Sequence, residues 1–166
     1  MIKAYFNAAS PNAKRVAIAA AELGVALETH EIDFSSGQHR TSEYLAINPN
    51  GKVPAIDDDG FTLWESAAIA WHLAEQNPSK GLLPADIKSR SIQMQWMFWN
   101  ACHLEAGMSG MVYEKLVKPA LGQEADEAMC EAHKEAAVSY LSILNGHLEG
   151  RQWIGRQFSL ADISLG

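Results

Sequence analysis

The sequence predicts a mixed α/β amino-terminal unit followed by a wholly helical one. Three observations carry this. Short β-rich runs alternate with capped helical segments up to about residue 77. Residues 77–86 then hold Pro78, Gly81 and Pro84 without any periodicity, as a linker does. Beyond them apolar residues recur at helical spacing with no strand signal. The boundaries so drawn are 1–77, 78–86 and 87–166.

The first run, 2–6, is a strand, and Ser10-Pro11 opens the first helix. A serine oxygen accepts one of the orphan N–H groups of the first turn, and proline at the first helical position lacks only an N–H that would be unpaired anyway. Val16, Ala17, Ala20, Ala21 and Leu23 mark the apolar face of this helix, and Gly24 stops it. A second strand over 27–32 alternates Leu27, Thr29 and Glu31 with Glu28, His30 and Ile32. A short helix over 41–47 ends at Asn48-Pro49. The apolar runs 53–56 and 61–63 flank Asp57-Asp58-Asp59-Gly60, and an Asp-Gly pair in that setting signals a hairpin. A helix over 66–75 follows, with Ala67, Ala70, Trp71 and Ala74 on one face. The order is βαβ, then αββα.

In the second unit a helix over 87–118, closed by Pro119, places Met94, Met97, Phe98, Ala101 and Cys102 on one stripe. Another, from about 123 to 148, aligns Met129, Ala132, Ala136, Tyr140, Leu144 and Leu148. Ser159-Leu160-Ala161-Asp162 is a capping box, yet the helix that it opens has barely one turn before Gly166. One turn alone returns less than its nucleation costs, so the helical unit is expected to be incomplete and the chain a piece of something longer.

Composition narrows the function. The 166 residues carry a net charge of −7, which disfavours nucleic acid and anionic membranes as main partners, because both require a basic face. No apolar run of about 18 residues and no secretory leader is present, so a soluble, cytoplasmic protein is expected. Cys102 and Cys130 have no metal-type spacing and are expected to be reduced, packed helix residues; no metal site is expected.

The stretch from Asn48 to Ser66 concentrates the chemistry. Pro54 begins a strand and cannot donate to a ladder, so it marks either an edge to which a small peptide could pair or merely the end of the Asn50-Gly51 turn. Glu65-Ser66 begins a helix, whose unpaired N–H groups and partial positive charge suit a carboxylate, while Glu65 can accept from an ammonium group. Equally, Ser66 could cap its helix and Glu65 be solvated. Lys52 and His39 are loop cations that either hold a second carboxylate or lie idle on the surface.

Taken together, Asn48-Pro49-Asn50-Gly51-Lys52-Val53-Pro54-Ala55-Ile56, the Asp-Gly hairpin and Leu63-Trp64-Glu65-Ser66-Ala67-Ala68-Ile69 resemble the amino-terminal domain of cytosolic glutathione transferases. Ser10-Pro11-Asn12-Ala13-Lys14-Arg15 is similar to the first-helix opening of many bacterial members, and Ser159-Leu160-Ala161-Asp162-Ile163 to the capping box of their sixth helix. The resemblance implies a thioredoxin-like domain followed by an all-α domain, a homodimer, and glutathione as co-substrate. It also implies that Val53, before a cis Pro54, pairs with the cysteinyl backbone of glutathione. Glu65 and Ser66 would hold the γ-glutamyl head, with Lys52 and His39 near a carboxylate.

The reaction so implied needs a thiolate, since the protonated thiol is a poor nucleophile. Lowering a thiol pKa by about two units takes roughly 2.7 kcal/mol. A hydrogen bond to a charged group supplies roughly 1.5–3 kcal/mol. One donor at the first-helix start therefore suffices. Ser10 is the first choice, unless it only caps the helix; Asn12 and Tyr5 follow. The implied activity is conjugation of glutathione to small hydrophobic electrophiles. The alternatives are a glutathione-dependent disulfide reductase and a non-catalytic binder of the same fold. Trp96, Trp99, His103, Met108, Met111 and Tyr113 could line an electrophile pocket, or form core or dimer interface.

Overall fold

In the computed structural model, which describes residues 1–166, strand β1 (Ile2–Phe6) lies inside a four-stranded sheet ordered β2-β1-β3-β4. It pairs in parallel with β2 (Leu27–Glu31), Ile2 opposite Leu27, and antiparallel with β3 (Ala55–Asp58), Ala4 opposite Ile56. The β3–β4 hairpin closes on Asp59-Gly60, with β4 spanning Phe61–Trp64. Both turn residues have positive φ, 51° and 92°, which is the conformation that Asp-Gly pairs tolerate best. The strand that Pro54 precedes is therefore internal, not an edge. Pro54 is tolerated there because ladder pairing begins one residue later, at Ala55.

Helix α1 (Pro11–Leu23) has both expected ends: the Ser10 hydroxyl oxygen accepts the Ala13 N–H at 3.3 Å, and Gly24 closes it at φ 71°. Its buried residues are Ala13, Val16, Ala19, Ala20 and Leu23, whereas Ala17 and Ala21 are exposed. Helix α2 (Ser42–Ile47) is capped by Thr41, whose oxygen accepts from Tyr44 N–H, and α3 spans Ser66–Gln76. Ala4, Val16, Leu23, Ile56, Ile69 and Leu73 make the dry centre of this unit, each at most 1% exposed. Burying such side chains, at roughly 1.5–3 kcal/mol each, is what holds α1 and α3 to the sheet.

The chain divides into two units, Met1–Ala85 and Asp86–Leu165. The second starts with α4 (Ile87–Trp99), whose N-cap Asp86 accepts from Ser89 N–H at 2.9 Å. Helical backbone then continues through a π-helical stretch, Asn100–Leu104, α5 (Glu105–Val112), a second π-helical stretch, Tyr113–Val117, and the last turn α6 (Lys118–Ala120). The buried side is Gln93, Trp96, Met97, Asn100, Leu104 and Gly107, not the expected stripe, of which Met94, Phe98, Ala101 and Cys102 are exposed. Asn100 explains part of the shift. Its buried amide donates to the Ser164 carbonyl and hydroxyl of α8 (Leu160–Leu165) at 2.7 and 3.2 Å, so a polar residue occupies a core position. Cys130 is buried as expected; Cys102 is not.

Helix α7 (Glu127–Leu148) begins four residues later than the sequence suggests. Its N-cap Asp126 accepts from Met129 N–H, while its own N–H donates to Glu114 at 2.8 Å. Glu114 also holds Lys118 at 2.6 Å, and these donors keep its carboxyl below the usual glutamate range. Helices α5 and α7 cross closely: a Cβ at Gly110 would collide with the His133 ring, and one at Gly107 would already touch the His133 carbonyl at 3.5 Å. Half of the capping box at 159–162 forms: Ser159 N–H and Oγ both donate to the Asp162 carboxylate at 2.9 Å, while the Asp162 N–H donates to the Ser159 carbonyl and not to its hydroxyl. No helix is long and apolar enough to cross a membrane.

Candidate active site

Two helix starts meet in the amino-terminal unit. Ser66 Oγ, at the first position of α3, donates to Asn12 Oδ1 at 3.1 Å, and Arg15 donates to the same oxygen at 2.7 Å. Asn12 thus ties the opening of α1 to that of α3, two residues from Ser10. Ser10 is half-buried, and its oxygen is engaged as an acceptor by the helix cap. A hydroxyl carries a proton as well as lone pairs, so capping leaves Ser10 able to donate. The cap and thiol-activating roles are compatible rather than rival.

At the start of α3, Glu65 is exposed and adopts φ 75°, ψ 117°, and its side chain makes no cap hydrogen bond. The first N–H groups of α3 therefore lack the side-chain cap that α1, α2, α4 and α7 possess. An L-residue held at such φ costs on the order of 1–3 kcal/mol, and strain of that kind clusters at ligand sites. Glu65 and Ser66 are contiguous with the helix end that would receive an anion.

The loop before β3 is fixed from below. Asn48, buried, donates through its amide to the Lys52 carbonyl at 2.7 Å and accepts the Asn50 N–H at 3.0 Å. Tyr44 donates its phenol to the same Lys52 carbonyl at 2.6 Å. Burial, reinforced by the neighbouring Tyr5, pushes the Tyr44 phenol up to about 12, so it is a protonated donor throughout the physiological range. The Val53–Pro54 peptide is cis, and Val53 packs with Ile32 and Tyr44.

Gly51 brings His39 to this loop. A Cβ there would lie 2.7 Å from the His39 carbonyl and 3.1 Å from the Arg40 guanidinium, and the backbone has φ 61°. Lys52 is exposed; His39 is half-buried, with its ring edge-on to Phe34 at 5.0 Å. Arg40, not singled out from the sequence, adds its guanidinium against the same turn, and its position next to His39 is the signal that could have found it. Tyr5 is placed elsewhere. Side chains alternate along β1, and its ring stacks on His30 at 5.4 Å and meets Tyr44 of α2 at 5.8 Å, on the face opposite the buried Ala4. The structure thus groups Ser10 and Asn12 with Ser66, groups His39, Lys52, Val53 and Pro54 around one loop, and leaves Tyr5 under that loop.

In the helical unit Trp96 is buried between Trp99 and His147, and Trp99 and His103 both pack on Tyr140. Met108 and Tyr113 are each 47% exposed. The aromatic set is therefore part core and part surface.

The βαβ-αββα sheet, a cis-proline loop and two adjoining helix starts define a thioredoxin-like domain, followed here by a helical one. Residues 2–75 match the family model described as glutathione S-transferase, N-terminal domain. The chain is 34% identical over 164 residues to glutathione S-transferase 3 of Zea mays, covering 97% of this chain and 73% of that one. It superposes with a TM-score of 0.86 and 28% identity on glutathione S-transferase I from maize in complex with an atrazine glutathione conjugate, covering 98% and 77% of the two chains. With a theta class glutathione S-transferase of Xanthomonas axonopodis pv. citri, glutathione bound, the TM-score is 0.89 at 28% identity, covering 99% and 78%. The chain belongs to the glutathione S-transferase family.

Proposed function

We infer that the protein transfers glutathione to small hydrophobic electrophiles. The sulfur of the thiolate attacks an electrophilic carbon, a C–S bond forms, and the leaving group departs with the electron pair of the bond it loses. Family membership and the conjugate held by the maize neighbour support this, and the observation that carries it is the Ser66–Asn12 bond, which sets an uncapped helix start beside Ser10. In the proposed assignment Val53, next to Pro54, pairs with the cysteinyl backbone. Glu65 and the N–H groups of α3 with Ser66 take the ammonium and carboxylate of the γ-glutamyl head. His39 and Lys52 face the second carboxylate.

Ser10 is proposed as the donor that holds the sulfur as thiolate, with Asn12 supporting it and Tyr5 less well placed. The amino-terminal unit contains no cysteine, which favours conjugation over chemistry through an enzyme thiol. The segment 1–77 is assigned to glutathione, 78–86 to a linker and 87–166 to the electrophile. A cytoplasmic homodimer without nucleic-acid or membrane partners fits the acidic charge and the family. The bacterial affinity expected from Ser10-Pro11-Asn12 finds no support in the Zea mays relative, so the opening alone does not place the chain in a bacterial branch.

Retention on immobilised glutathione and a conjugation assay, applied to wild type, Glu65→Ala and Ser10→Ala, test the assignment. Ser10→Ala should keep binding and lose about 10- to 150-fold in kcat, the worth of one hydrogen bond to an anion. Glu65→Ala should lose retention. A wild type that binds glutathione but conjugates no electrophile would overturn the enzymatic assignment, and unchanged affinity in Glu65→Ala would overturn the site.

A further inference from the structure

Tyr44 is not assigned to glutathione; its ring packs with Val53, and its hydroxyl ends on the peptide that precedes that residue. The Lys52 carbonyl and the Val53 N–H belong to a single trans peptide unit, the cis bond being the next one along. In a trans peptide the N–H points opposite to the C=O. Whatever fixes the carbonyl direction therefore fixes the N–H direction. Here two buried donors hold the carbonyl, Tyr44 at 2.6 Å and Asn48 at 2.7 Å. Both come from α2 and its end, so the Val53 N–H is turned away from α2. Donation into the carbonyl also polarises the peptide and strengthens that N–H as a donor.

The two donors are not equivalent. Asn48 also accepts from Asn50 and shapes the whole turn, so its loss would disturb much more than one bond. Tyr44 is 4% exposed, and its N–H is held by Thr41, its ring by Tyr5 and the apolar cluster of Ile32 and Val53. The ring is secured by packing and the helix cap, independently of the hydroxyl.

We propose that Tyr44 is a positioning residue for glutathione, whose hydroxyl, through the Lys52 carbonyl, aims the Val53 N–H at the cysteinyl backbone of the tripeptide. Val53 enters here as the backbone partner proposed above, and Tyr44 depends on that assignment. The catalytic groups at Ser10 are not involved, so the effect belongs in binding and not in turnover.

Titration calorimetry with glutathione and steady-state kinetics with glutathione as the varied substrate test this on the full chain. In Tyr44→Phe, Kd and KM for glutathione should rise about 3- to 10-fold, the worth of one neutral hydrogen bond, while kcat at saturating glutathione stays within about twofold. A protein carrying 3-fluorotyrosine at position 44 keeps the shape and donates more strongly, so it should bind glutathione more tightly than wild type. A purely structural tyrosine would move neither quantity in that way. If Tyr44→Phe binds as wild type does while Glu65→Ala binds poorly, Tyr44 has no positioning role and the site stands. Unchanged binding in Glu65→Ala would remove the site and the inference with it. Should Tyr44→Phe fail to fold, the fluorinated protein decides: tighter binding supports the role, and unaltered binding overturns it.

Discussion

The amino-terminal and helical units use polar side chains for different ends. In the first, Tyr44, Asn48, Asn12 and Ser66 converge on one loop and two helix starts, above a centre of side chains at most 1% exposed. In the second, Glu114 and Asn100 tie helices to one another, Asp162 holds the Ile154 loop to the start of α8, and many large apolar side chains remain exposed, among them Phe98, Leu116, Val138 and Ile143 at 52–66%. A fixed polar ligand, as proposed for the first unit, needs the rigid base that the bonds and the centre of that unit supply.

The largest expected effect tests the rigidity of the first unit. Leu73→Ala removes a fully buried side chain and should destabilise by about 2–5 kcal/mol, read from chemical denaturation. A smaller loss would mean that the centre is looser than its burial indicates. Next comes Asn12→Ala, which cuts the tie between α1 and α3 and should weaken glutathione binding by about 3- to 10-fold in calorimetry. Unchanged binding there would separate the two helix starts functionally.

Acid should strike the helical unit through Glu114. Its carboxyl is lowered from 4.5 by Lys118 and the Asp126 N–H, so its contribution is fully present above 4.5 and is lost as pH falls through the lower folded value. Glu114→Gln should flatten the loss of melting temperature between neutral pH and that range; an identical pH dependence would acquit Glu114. Smallest is Leu116→Ala. At 66% exposure it should change stability by less than about 0.5 kcal/mol, and a larger loss would show that this surface is covered in solution.

Local chemistry was legible in the sequence. Ser10-Pro11 and Gly24 bound α1 as expected, and Asp59-Gly60 makes the turn, because caps and turns are decided by a few neighbouring residues. What long-range contacts decide was not. Asp126 starts α7 because Glu114, twelve residues away, takes its N–H. Asn100 is buried because Ser164 accepts its amide, and the internal place of β3 depends on β1. The buried residues Gln93, Trp96, Met97, Asn100, Leu104 and Gly107 keep helical spacing; the apolar stripe met only Met97 among them, because polar Gln93 and Asn100 occupy core positions while Met94 and Phe98 are exposed. In the site, His39, Lys52, Glu65 and Ser66 could be singled out by type and spacing. Tyr44 could not, since its proposed role lies in where Lys52 sits in space.

Glu65 has a consequence for anyone who evolves or engineers this protein. Its backbone holds a positive φ that a Cβ makes costly, so Glu65→Gly, which removes the Cβ, should relieve part of that strain and raise stability by up to about 1 kcal/mol while abolishing retention on glutathione. Heat selection without a ligand would thus favour a hardier protein that has forgotten its substrate, and melting curves paired with retention assays across such a selection would show the two properties drifting apart.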